Sequence, residues 1–75
     1  MTKYKNLNVD SSIKSFELGE NFIDIIFSKK IYRYSYASAG RDNVETMKQL
    51  AVAGFGLNRY LRKYCYELYE FKKDK

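Results

Sequence analysis

The sequence predicts an α+β domain, a three-stranded antiparallel meander followed by two helices packed on one sheet face. Three observations carry that expectation. From Ile13 to Tyr36 apolar and polar side chains alternate, the pattern of half-buried strands. Beyond Asp42 the apolar residues recur at helical spacing instead. Between the two halves, Ser38-Ala39-Gly40-Arg41 breaks the strand pattern, while no repeat or low-complexity linker divides the chain.

The first strand is expected over residues 13–18, where Phe16 and Leu18 alternate with Ser15, Glu17 and Gly19. The second covers residues 22–27 and sets Ile23, Ile25 and Phe27 on one face. The third covers residues 31–36, with Tyr32, Tyr34 and Tyr36 on one face and Arg33 and Ser35 on the other. A turn tip at Glu20-Asn21 places Leu18 opposite Ile23 and Phe16 opposite Ile25. A tip at Lys29-Lys30, or a four-residue loop of the same parity, sets Phe27 opposite Tyr32, Ile25 opposite Tyr34 and Ile23 opposite Tyr36. All of these apolar residues then share one sheet face, and a one-residue slip would scatter them across both. Ile26 is the misfit, falling on the opposite face, where the N-terminal arm or another copy of the chain is its candidate cover.

Asp42, with Glu45 three residues on, reads as a capping box opening the first helix, whose stripe is Val44, Met47, Leu50 and Ala51. Gly54 is placed to end it in a left-handed conformation. A second helix runs from Leu57 or Asn58 into residues 66–69, with Leu57, Leu61, Tyr64, Cys65 and Leu68 at helical spacing and Asn58 as candidate cap. Each helix is apolar on one side only, so both are expected on the tyrosine-bearing face of the sheet. The expected division is an N-terminal arm over residues 1–10, a single domain over 11–71 and a charged tail over 72–75.

Seventy-five residues make room for one domain. A chain of this size buries only about 60% of the surface its unfolded form exposes, so a staple or a partner subunit is a natural question. Cys65 is the sole cysteine and there is no histidine, which removes an intramolecular disulfide and the ordinary zinc and haem arrangements. Asp10, Asp24 and Asp42 lie far apart without EF-hand spacing, and the expectation is a chain with neither metal nor cofactor. The missing histidine also excludes Ser-His-Asp and Cys-His nucleophiles, while Lys, Glu and Tyr occur at no recognisable acid–base spacing. A non-enzymatic protein is expected. Residues 1–10 mix Lys3 and Lys5 with Asn6 and Asn8 and hold no signal-peptide core, and no window reaches transmembrane length. The expectation is therefore cytoplasmic, without a membrane partner. A formal charge of +5 favours anionic partners.

Tyr32-Arg33-Tyr34, Ala37-Ser38-Ala39-Gly40, Asn43-Val44-Glu45, Met47-Lys48, Leu50-Ala51 and Gly56-Leu57-Asn58 follow one another at spacings that resemble the KTSC family. That short domain is named for its occurrence at the C-terminus of some lysyl-tRNA synthetases. Ser11-Ser12-Ile13 and the strand bearing Ile23, Ile25 and Phe27 fit the same pattern, so the resemblance runs from about Ser11 to Tyr64. It implies a small free-standing bacterial or phage domain, with RNA binding suggested and no function established for the family. Lys29 and Lys30 stand where the family commonly carries glycine, and the Tyr- and Lys-rich segment from Tyr64 onward is this chain's own.

Four features are candidates for function. Tyr32, Tyr34 and Tyr36 read as a base-stacking platform or as core, and the register argument favours core. Lys29, Lys30, Arg33, Arg41, Arg59, Arg62 and Lys63 read as a phosphate-tracking surface or as a solvated face. Gly56, Asn58 and Arg59 read as an anion site at a helix start, or as a helix-to-helix connection in which Asn58 caps. The surplus aromatics Tyr60, Tyr64, Tyr66, Tyr69 and Phe71 suggest self-association or closure over an open end of the sheet. Cys65 reads as a packing residue. Together these point to a binding domain for an anionic polymer, RNA foremost, with a protein-interaction or homo-oligomeric module as the alternative.

Overall fold

The computed structural model describes residues 2–5 and 12–74; Ser11 and residues 6–10 of the expected N-terminal arm lie outside them. The sheet has five antiparallel strands in chain order: β1 (Thr2–Lys3), β2 (Ser15–Leu18), β3 (Phe22–Ile26), β4 (Lys30–Ser35) and β5 (Phe71–Asp74). Between β4 and β5 come α1 (Tyr36–Ala39), α2 (Arg41–Ala53) and α3 (Leu57–Tyr60), the last continuing into a π-helical turn over Leu61–Cys65. The three central strands are those that the alternation predicts. The two edge strands come from segments that alternation does not mark, and the lysine-rich end pairs with β4 through Arg33 and Phe71, Tyr32 and Lys72, and Lys30 and Asp74.

The first hairpin has the expected register, Leu18 opposite Ile23 and Phe16 opposite Ile25. The second differs. Phe27 donates its N–H to the Lys30 carbonyl, so Ser28-Lys29 form the tip, and Ile25 faces Tyr32 while Ile23 faces Tyr34. Relative to a Lys29-Lys30 tip the pairing moves by two residues, which preserves parity and leaves the same side chains facing the core. Parity is set by burial; the position of the tip depends on local turn preferences, which Ser-Lys-Lys specifies weakly.

That shift ends β4 at Ser35 and releases Tyr36 from the strand. The Ser35 hydroxyl accepts the Ser38 N–H at 3.2 Å, and the Ser38 hydroxyl accepts the Ser35 N–H at 3.1 Å. This reciprocal pair is the capping box of α1, in place of the one expected from Asp42 and Glu45. Because the chain is already helical before Gly40, α2 starts at Arg41 with no side-chain cap. Asp42 lies in its first turn, where the helix dipole favours a carboxylate. Glu45 instead accepts the Tyr36 hydroxyl at 2.6 Å and pairs with Lys48 at 2.9 Å. Lys48 also donates to the Glu20 carbonyl at 3.0 Å, tying α2 to the first hairpin.

Gly54 closes α2 as expected, with φ of 77°. Its N–H reaches the Ala51 carbonyl and that of Phe55 reaches Leu50, the paired bonds of a Schellman motif. A β-carbon there would also stand 2.6 Å from Cβ of Lys5, so both the turn and the approach of the N-terminal segment need glycine. Gly56, not Asn58, takes the N-cap position of α3, and the Tyr4 hydroxyl accepts the Leu57 N–H at 3.3 Å.

Leu57, Leu61 and Cys65 are the buried residues of this last helix, each at most 1% exposed, whereas Tyr64 and Leu68 point outward at 54% and 40%. Four-residue steps drift by about 40° around an ideal α-helix. A wider π-helical turn offsets that drift and keeps the three on one line. They join Val44, Met47 and Ala51 of α2 against Phe16, Ile23, Ile25 and Tyr34 of the sheet, with Tyr4 and Ile13 closing the same core. Tyr69 meets Tyr32 and Tyr34 edge-on at 5.3 and 6.4 Å and packs, partly buried, against the core.

The other sheet face has a centre of its own. Arg33 grips Asp24 through two hydrogen bonds, at 2.7 and 2.9 Å. Its guanidinium lies over Phe22 at 3.9 Å and Phe71 at 5.1 Å, joining β3, β4 and β5. Ile26, the misfit of the alternation, is fully buried on this face and paired with Ile31.

Candidate nucleic-acid interface

The end of the second hairpin and the last helix approach each other and leave a hollow of about 180 Å³ between them. Phe27, Lys30 and Tyr32 contribute from the hairpin, and Asn58, Arg62 and Tyr66 from the helix and the turn after it. Such a space is smaller than pockets for drug-sized ligands, which span about 300–1,000 Å³. Three aromatic side chains, Leu61, Ser12 and two cations line it, and Asn58 adds an amide with donor and acceptor capacity. The amide oxygen accepts a long, 3.4 Å hydrogen bond from Nε of Arg62.

A second hollow, about 290 Å³, borders the same helix and is lined by Gly56, Arg59, Tyr60, Lys63 and Tyr64 with Leu50. Tyr60 is anchored there: its hydroxyl donates to Asn43 Oδ1 at 2.7 Å, and Asn43 donates to the Ala39 carbonyl at 2.8 Å. Tyr64 is exposed, lies 4.8 Å from the Tyr60 ring centre to centre, and carries the Lys63 ammonium 5.4 Å from its own.

The seven basic residues singled out in the sequence are therefore not one surface. Arg59, Arg62 and Lys63 are exposed along the last helix, and Lys29 at the hairpin tip. Lys30 lines the first hollow while pairing with Asp74 at 2.6 Å, and this hydrogen bond raises its pKa above the ordinary lysine value. Arg41 is exposed at the start of α2. Arg33 belongs to the opposite sheet face, where Asp24 and two aromatic rings occupy its guanidinium.

The tyrosine trio divides as well. Tyr34 is fully buried and donates to the Tyr66 carbonyl at 3.2 Å; burial pushes its phenol pKa well above the usual value. Tyr36 is half-buried and held by Glu45. Tyr32, stacked parallel to Tyr34 at 6.5 Å, lines the first hollow. At the expected anion site the Leu57 N–H is bonded to the Tyr4 hydroxyl, and the three residues named for it border two different hollows. Asn58 serves the first hollow, and Gly56 and Arg59 the second.

Phe27 and Tyr66 were legible only as core and surplus aromatics; their place beside Asn58 depends on contacts between distant parts of the chain. Cys65 is buried, which raises its thiol pKa and disfavours the thiolate. Among the described residues no three His, Cys, Asp or Glu side chains gather as metal ligands, and no helix is long and apolar enough to cross a membrane. Comparisons with protein-family models, with curated proteins and with solved structures return no match.

Proposed function

We propose that the chain is a non-enzymatic, KTSC-like module that binds single-stranded nucleic acid, RNA foremost, along the last helix. The observation that carries this reading is the hollow in which Phe27, Tyr32 and Tyr66 meet Lys30, Arg62 and Asn58. Aromatic faces offer stacking worth about 1–3 kcal/mol per base, and cations beside them hold the phosphates. Exposed Arg59 and Lys63 extend the positive surface. An unpaired base can enter a ring-sized hollow, whereas a paired and stacked base cannot.

The test compares two charge reversals of equal size. Arg62→Glu is expected to weaken binding of a short oligouridylate about tenfold, ~1.4 kcal/mol, and Arg41→Glu much less. Equal effects would mean that net charge alone attracts the polymer, and no binding by the unaltered chain would refute the reading. A second reading, self-association, is favoured by Leu18 and Val52, 45% and 58% exposed beside a shallow groove with Phe16 and Ala51. Light scattering on the same samples separates it, since it requires a mass above that of one chain.

A further inference from the structure

Both hollows border one helix, and they lie on different flanks of it. Asn58, Arg62 and Tyr66 face one, while Arg59, Tyr60, Lys63 and Tyr64 face the other. Each pairs exposed aromatic surface with cations. Arg59 lies three and four residues from Arg62 and Lys63, so it neighbours each of them on the helix surface. They form a positive ridge between the hollows.

We propose that the two hollows take bases from one nucleic-acid strand that crosses this ridge, with the intervening phosphates on Arg59, Arg62 and Lys63. The inference rests on the nucleic-acid reading above and adds a two-part site of defined length. A helix with its side chains is about 10–12 Å across. At the stacked rise of about 3.4 Å per nucleotide that width sets an upper count of roughly three to four nucleotides, and an unstacked strand, which extends further per nucleotide, spans it with fewer. One nucleotide can fill one hollow but cannot reach both. The minimal ligand that uses the whole surface is therefore a short oligonucleotide. The hollow holding Asn58 can hydrogen-bond a base edge, whereas the other presents tyrosine rings and cations and takes a base by stacking.

The experiment measures affinity for uridine monophosphate and for oligouridylates of about two, four and eight nucleotides, with the unaltered chain and with Tyr64→Ala and Tyr66→Ala. Both tyrosines are 54% exposed, so the fold tolerates their truncation. Affinity is expected to rise at least about tenfold between one and four nucleotides and then to level off. Each variant is expected to lose about tenfold on the longest oligonucleotide. If Tyr66→Ala weakens binding and Tyr64→Ala does not, one hollow suffices, and the two-part site is overturned while the nucleic-acid reading stands. If the unaltered chain binds no oligonucleotide, the nucleic-acid reading itself fails.

Discussion

Arg33 shows how far a single residue's role depends on what folds against it. In the sequence it is one cation among fourteen basic side chains, placed by alternation on the face opposite the tyrosines. In the fold its guanidinium is bonded twice to Asp24, itself 5% exposed, and lies against Phe22 and Phe71. A planar fork fits that site and an ammonium does not. Arg33→Lys is expected to lose about 2–3 kcal/mol in urea denaturation, because a nearly buried carboxylate keeps only part of its hydrogen bonding. A loss below about 0.5 kcal/mol would show that the clamp is ornamental. Its face was legible from parity alone, but the clamp was not, since Phe71 arrives from the far end of the chain. Asn58 is the converse case: Gly-Leu-Asn at a helix start suggests a cap, yet Gly56 takes that position and the amide, bonded at 3.4 Å by Arg62, lines the hollow instead.

At the scale of elements, legibility followed periodicity. Strands β2 to β4 and helix α2 repeat clearly enough for their buried faces to be read directly, and the first hairpin has the expected register. Strands β1 and β5, of two and four residues, are too short and too polar to show alternation; pairing with the sheet edges, not burial, makes them strands. Helix starts were less legible, because several Ser, Asp and Asn residues compete for one boundary and the winner depends on where the preceding strand stops. The displaced carboxylate has a measurable consequence. The Tyr36 hydroxyl, and after it Lys48, hold Glu45 below the usual carboxylate range, and Lys30 does the same for Asp74. As pH falls the unfolded chain takes up these protons first, so this stabilisation is intact above the ordinary carboxylate range and is lost as pH falls through and below it. Thermal melts should show that fall, and Glu45→Gln should flatten part of it while leaving the part due to Asp74. An identical pH dependence in the variant would place Glu45 outside the linkage.

For the molecule as a whole, one core is shared by the sheet, the helical segments and Tyr4, which follows the first strand, without a disulfide. The same packing brings the end of the second hairpin beside the last helix and creates the first hollow. No local pattern encodes that meeting. The sequence yields the cationic and aromatic ingredients, and tertiary contacts decide that Lys30, Tyr32 and Phe27 join Arg62, Asn58 and Tyr66 while Arg33 is turned away. The measurement that tests the central claim most directly is the affinity of the unaltered chain for labelled single-stranded RNA across a salt series. Contacts from Arg59, Arg62 and Lys63 to phosphates should release counterions with a log–log slope of about −2, from −0.7 per contact. Saturable binding with that slope is the expected result; no binding at low salt, or affinity indifferent to salt, would contradict the account.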